Sequence, residues 1–315
     1  MTDNHKTINI ELQSIYDIYP LYKAVYGRPQ FYKSYDNWKL LQAMDTYSGV
    51  SGKDFGANLK GLNILETFAG QSEHKDDFLR ECPFPINSYR TMDIHGDGRD
   101  VWKGDACLDT YPDNADIIVA HYHSLPCILP KDGYTSRQLI VEMFKRVHEA
   151  LTKSGGIFFL HVGDPDASEG INDFAANNML QHYIPQFSPL RSAFKEHQFG
   201  LQENLLLEFY EDSYYDLVRC TQISTIRADL IGDDVTLNIT IKDKWEQRMW
   251  AYWEIMDCAV EAGFVAEGIH PFHVPDLKLN RYDEAIYLCD KIVSKNKQTK
   301  LNVPTDILFS VERGA

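Results

Sequence analysis

Hydrophobic and polar positions change period several times along the chain. Between residues 62 and 162, short apolar runs alternate with amphipathic stretches. Leu62-Asn63-Ile64-Leu65, Asp116-Ile117-Ile118-Val119-Ala120 and Ile157-Phe158-Phe159-Leu160 read as short buried strands. Tyr89-Arg90-Thr91-Met92-Asp93 reads as another that ends in an acid. From Thr135 to Lys153, Leu139, Ile140, Met143, Phe144, Val147 and Leu151 share one helical face. Strand and helix in alternation predict a mostly parallel sheet with helices on both faces.

The flanks carry other periods. Ile8, Leu12, Ile15 and Ile18 keep a helical spacing that Pro20 interrupts, and Phe31, Tyr35, Trp38 and Leu41 repeat it. Residues 8 to 48 are therefore expected as helices, broken at Gly27-Arg28-Pro29. Ser48-Gly49-Val50-Ser51-Gly52 reads as a flexible link. Ile171 to Tyr183 is expected as helix, and Leu205–Tyr210, Tyr214–Ile226 and Val235–Ile241 as strands. The last of these alternates polar and apolar residues, as a strand buried on one face does. Trp245 to Ala262 is expected as one amphipathic helix stopped by Gly263. Tyr282 to Ser294 reads as a helix and Ile307 to Val311 as the last strand.

Composition narrows the function classes. Hydrophobic residues make up 44% and charged residues 24% of 315, the ordinary globular range. No apolar run has the length of a membrane span, and no secretory signal is visible at Met1, so a cytoplasmic protein is expected. Six cysteines lie scattered without a Cys-x-x-Cys pair, which argues against a zinc site or a disulfide framework. The net charge of −15 opposes binding to a phosphate backbone, so a small molecule is favoured over nucleic acid. A homodimer is compatible with this composition.

Candidate chemistry gathers between Leu62 and Asp105. The first strand ends in Glu66, turns at Gly70 and leads to a helix expected to open at Ser72, a plausible N-cap. The next strand ends in Asp93, and Gly104-Asp105-Ala106 forms a third acidic turn. The stretch from Asp93 to Asp105 is too short for a crossover helix and reads as a turn.

This order of motifs resembles class I S-adenosylmethionine (SAM) dependent methyltransferases, small-molecule enzymes in particular. That family's first strand ends in an acid-x-Gly-x-Gly-x-Gly loop. Glu66 takes the acid position and Gly70 the middle glycine, while Phe68 and Ser72 replace the other two. Asp93 matches the acid that binds the ribose hydroxyls, and Gly104-Asp105-Ala106 the turn bordering adenine. Asp116 to His121 and Gly155 to Leu160 match the fourth and fifth strands. The resemblance implies an α/β Rossmann-like methyltransferase sheet with an N-terminal helical lid and an inserted antiparallel cap. The implied division is a lid over 1–58, a SAM-binding core over 59–163, a cap over 164–243 and the rest of the core over 244–315.

SAM is the cofactor implied, with contacts expected at Glu66, Phe68, Ala69, Gly70, Asp93, Ile94, Asp105, Ala106 and His121. Tyr22, Tyr26, Arg28 and Tyr32 resemble a Tyr-rich lid; Tyr26 and Tyr32 are the aromatic faces expected near the sulfonium. His121, Tyr122 and His123, just past the fourth strand, are the candidate catalytic residues. His74, His95, His121, His123 and His161 fall at or near strand ends. They fit a general base, a metal site or simple pocket lining. No His-x-x-x-His or acid-rich triad accompanies them, so no metal is expected. The implied activity is methyl transfer to a nitrogen or oxygen of a small-molecule acceptor. Two alternatives remain open: an enzyme that cyclises or cleaves SAM itself with release of methylthioadenosine, and a non-catalytic SAM-binding subunit.

Overall fold

The computed structural model describes residues 5–18, 20–21, 30–51, 54–57, 60–70, 74–96, 101–121, 124–152, 155–162, 178–184, 192–197, 205–272 and 306–310. In chain order the strands and helices are β1 (Lys6–Leu12), α1 (Gln30–Ser51), β2 (Leu62–Thr67), α2 (Lys75–Glu81), β3 (Ile86–Asp93), β4 (Val101–Lys103), β5 (Ile117–Ala120), α3 (Ser136–Thr152) and β6 (Ile157–His161). They continue with β7 (Asn178–Ile184), β8 (Leu205–Asp216), β9 (Thr221–Ile231), β10 (Val235–Ile241), β11 (Trp245–Arg248), α4 (Tyr252–Glu261), β12 (Ile269–Phe272) and β13 (Asp306–Ser310). Backbone contacts divide the chain into two units, residues 1–28 with 168–247 and residues 29–167 with 248–315. The segment 1–58, expected as one lid, is thus shared between the two units.

The second unit holds a seven-stranded sheet in the order β12-β13-β6-β5-β2-β3-β4. β4, β3, β2, β5 and β6 run parallel, while β13 is antiparallel to both β6 and β12. Strand parity decides what lies on each face. Leu65, Ile118, Ala120, Phe158 and Leu160 pack with residues of α3 and α4. Leu62, Ile64, Ile117, Val119, Ile157 and Phe159 pack with Leu40, Ala43 and Met44 of α1 and Phe78 of α2. Both faces are covered, which is why these strands read as unbroken apolar runs. The order reverses direction between β2 and β5, and a ligand crevice forms beyond the strand ends at such a point.

The first unit is an antiparallel sheet, β10-β9-β8-β7, extended by β1 parallel to β10, with β11 paired to β9. One face buries Leu205, Leu207, Phe209, Ala228, Leu230, Leu237 and Ile239.

Several expectations are corrected. Lys6–Leu12 is a strand, not a helix: Ile8, Ile10 and Leu12 alternate with Thr7, Asn9 and Glu11 and pair in register with β10. Ser48 to Ser51 continues α1 rather than forming a link, with Tyr47 buried just before it. The cost of a helical glycine, about 1 kcal/mol, is readily outweighed by such packing. Residues 178–183 are strand, paired with β8, rather than helix. Leu217–Cys220 form a turn inside the run expected as one strand from Tyr214 to Ile226. Trp245–Arg248 pair with β9, so the helix begins only at Tyr252; tertiary pairing overrides the local helical period there. Gly263, with φ 110°, does end that helix. Gly27, Arg28, Pro29 and the stretch 282–294 lie outside the described residues.

Candidate functional site

β2, β3 and β5 end side by side, with Thr67 in register with both Met92 and Ala120. The chain leaves β2 through a turn in which Phe68 and Gly70 both adopt φ of 55°. A side chain in that left-handed region costs roughly 1–2 kcal/mol. Phe68 therefore takes a backbone conformation suited to the glycine it replaces, while its half-buried ring packs against the core. The Ala69 N–H donates to the Met92 carbonyl at 3.0 Å. The Gly70 N–H donates to Asp93 Oδ2 at 2.9 Å, and the His95 N–H to Asp93 Oδ1 at 2.8 Å. Asp93 thus ties the first turn to the second, and each of its oxygens keeps a further lone pair.

Glu66 does something else. Its parity with Leu62 and Ile64 turns it towards α1 and α2, and it is 1% exposed. Its Oε2 accepts the Tyr89 hydroxyl at 3.0 Å, and its Oε1 lies 3.1 Å from His74 Nδ1. The other ring nitrogen, His74 Nε2, lies 3.3 Å from Asp36 Oδ2 on α1. Lys39 Nζ is 3.8 Å from Asp36 Oδ1, and all of these groups are buried. Burial alone would lower the His74 pKa, but hydrogen bonds and charge from Asp36 and Glu66 push it up to about 9. At neutral pH the row runs lysine cation, carboxylate, imidazolium, carboxylate, phenol, with no net charge.

His121 follows β5 with the same parity and is 3% exposed. Its ring stacks on His74, centroids 4.4 Å apart and planes 25° from parallel. Asp36, His74 and His121 offer ligand atoms within 4.8 Å of one another. As arranged, however, the lone pairs of two stacked rings lie in nearly parallel planes and do not converge on one ion. The His74 nitrogens also already face carboxylates. The cluster is built as a hydrogen-bonded triad with a stacked partner.

The third acidic turn is likewise engaged. Asp105 forms an ion pair with Lys131 and accepts the Cys107 N–H at 2.8 Å. Ala106 is buried, and Ile94 is 47% exposed. Ser72, Tyr122, His123, Tyr22, Tyr26 and Arg28 lie outside the described residues; Tyr32 lies on α1, with its side chain outside them. α2 begins at Lys75, with His74 at its N-cap. The described structure thus brings together Glu66, Phe68, Ala69, Gly70, Asp93 and His121. It adds Asp36, His74 and Tyr89, which the sequence did not single out as a group. Strand parity, once β2 and β5 are placed, is the signal that joins Glu66 to His121; nothing local marks Asp36.

No protein-family model and no curated protein sequence matches the chain. Solved structures do. A SAM-dependent methyltransferase from Clostridium acetobutylicum superposes with a TM-score of 0.53 at 11% identity, over 93% of this chain and 96% of that one. DesVI of Streptomyces venezuelae superposes with a TM-score of 0.51 at 10% identity, over 79% and 90%. The fold is that of SAM-dependent methyltransferases. Among the described residues, no helix is long and apolar enough to cross a membrane.

Proposed function

We propose that the chain is a SAM-dependent methyltransferase acting on a nitrogen or oxygen of a small-molecule acceptor. The observation that carries this reading is Asp93. It stands at the end of the strand beside β2, and its carboxylate fixes the Gly70 turn while keeping lone pairs for a diol. The residues present fit the cofactor in most respects. Asp93 would accept the ribose hydroxyls, and Ala69 and Gly70 would let the amino-acid part approach a small-residue turn. Ile94, Asp105 and Ala106 would border the adenine. Glu66 supports the site through His74 rather than through cofactor contact.

SAM would supply an electrophilic methyl carbon. The chain's own task is then to align the acceptor, exclude water and take up a proton. Alignment alone is worth about 7–11 kcal/mol at its limit. His121, at the end of β5, is the described residue proposed to take up the proton. His123, Tyr122, Tyr26 and Tyr32 belong to the same proposal as pocket groups. The acidic chain supports a small acceptor over nucleic acid.

Titration calorimetry with SAM and with S-adenosylhomocysteine tests the reading. Saturable binding of both is expected, and absence of binding at millimolar concentration would remove it. Incubation with SAM alone separates the alternative: methylthioadenosine formed without an acceptor indicates that SAM itself is cleaved or cyclised.

A further inference from the structure

The antiparallel unit ends in an open edge. β1 pairs with β10 on one side and, among the described residues, with no strand on the other. In a parallel pair, alternate residues of a strand give both backbone groups to the neighbour, and the residues between them point the other way. The Lys6 N–H donates to the Asp234 carbonyl at 2.9 Å, and the Leu12 carbonyl accepts the Lys242 N–H at 2.9 Å. The even-numbered residues of β1 therefore serve β10. Thr7, Asn9 and Glu11 direct their N–H and C=O groups to the free edge, and all three residues are exposed.

The sheet of the second unit guards its edges: β4 has three residues, and β12 carries Pro271. β1 has seven residues in unbroken register, without proline or bulge. Its core-facing side chains also leave the apolar cluster incompletely covered. Ile8, Ile10 and Leu12 are only partly buried, whereas Leu237 and Ile239 on β10 are fully buried. A row of unpaired backbone groups and a row of half-exposed apolar side chains thus stop at the same line.

The strand is complementary to itself. Two copies related by a two-fold axis through Asn9, perpendicular to the sheet, pair antiparallel with Asn9 opposite Asn9 and Thr7 opposite Glu11 of the second copy. Those are the residues whose backbone groups point outward, so each facing pair exchanges two hydrogen bonds and no free group of the three is left over. The axis keeps every residue on its own face, so Ile8 meets Ile10 of the second copy and the apolar row continues across the seam. The chain's net charge of −15 opposes association at long range. At the seam that repulsion is absent: β1 carries one cation, Lys6, and one anion, Glu11, whose Oε2 lies 2.9 Å from Lys242 Nζ.

We propose that the free edge of β1 is a homodimer interface, which joins two antiparallel sheets into one with Asn9 on the two-fold axis. This interface is independent of the methyltransferase reading and stands or falls separately from it.

Sedimentation of the full chain over a range of concentrations is the first test. A reversible dimer is expected, because a single strand pair lies at the small end of specific interfaces. Asn9→Pro removes an N–H that β10 does not use, and should give a monomer that melts as the wild type does. Two cysteine variants read the register. Facing residues of a hydrogen-bonded antiparallel pair have Cα atoms about 5.5 Å apart, within reach of a disulfide. Asn9→Cys should therefore oxidise to a covalent dimer above the wild-type level, which Cys127 and Cys220 set as the exposed native thiols among the described residues. Thr7→Cys faces Glu11 rather than its own copy, and should stay at the wild-type level. Three results would overturn the proposal: a wild type that is monomeric at every concentration, a folded Asn9→Pro variant that still dimerises, or Thr7→Cys crosslinking as readily as Asn9→Cys. Should Asn9→Pro fail to fold, the two cysteine variants decide, since both sit at exposed positions and keep every backbone hydrogen bond to β10.

Discussion

His74 makes the stability of the second unit depend on pH in a direction opposite to the usual carboxylate effect. Its pKa rises from 6.5 to about 9 against the cost of burial, through the hydrogen bonds and charges of Asp36 and Glu66. A group whose folded pKa is raised contributes fully below its unfolded value and loses that contribution as pH climbs through the folded one. The window is therefore pH 6.5 to 9. At about 1.4 kcal/mol per pH unit, the loss across it is roughly 3 kcal/mol, since the ring is nearly all buried and solvent screens little. The groups facing it are Asp36 and Lys39 from α1, Glu66 from β2 and His121 beyond β5, with Tyr89 from β3 on the far side of Glu66. His148, whose pKa is lowered by burial, acts with the other sign and below pH 6.5. The assay is urea unfolding at intervals from pH 6 to 9.5, with wild type and His74→Gln side by side. Wild type should lose stability steeply across the window. The variant should be weaker at pH 6.5, by about 3–5 kcal/mol for a buried Glu66 left without its cation, and flatter above it. Equal slopes in the two proteins would refute the assignment of the charge to His74.

Phe68 gives an inverted substitution order. Phe68→Ala removes packing but keeps the left-handed strain, whereas Phe68→Gly removes both, so thermal unfolding should show alanine the less stable by about 1 kcal/mol. A Cβ on Gly156 would stand 2.4 Å from the Asp116 carbonyl oxygen, backbone that cannot turn away, so Gly156→Ala should yield little soluble protein and broadened NMR signals. Asp93→Asn loses the charge-assisted hydrogen bonds of the carboxylate, and calorimetry should show SAM binding weakened by about 10- to 100-fold. Tyr89→Phe leaves Glu66 with His74 alone and should lower stability by about 1 kcal/mol in urea titrations while leaving SAM affinity unchanged.

What could be read from the sequence depended on whether the determining interaction was local. The apolar stripe of α3 is complete within its own helix, and each of its six expected positions is fully buried. β10 alternates strictly and is a strand with the expected bounds. β1 carries a helical and a two-residue period at once, and only its pairing with β10, more than two hundred residues away, selects the second. Trp245–Arg248 fails for the same reason, since β9 rather than the local period holds it. The site follows the same rule. Asp93 was legible because a strand-end acid beside a small-residue turn is a feature of one short stretch. Asp36 was not, because its position in α1 acquires meaning only when the sheet brings Glu66 and His74 beside it. Glu66 shows why that matters chemically. A carboxylate buried this deeply would be strongly destabilising alone, so the fold must supply a cation and a hydroxyl. His74 and Tyr89 supply them; Asp36 then compensates the far side of the imidazolium, and Lys39 stands beside Asp36. Glu66 thus holds the start of α2 through His74, which stands at that helix's N-cap.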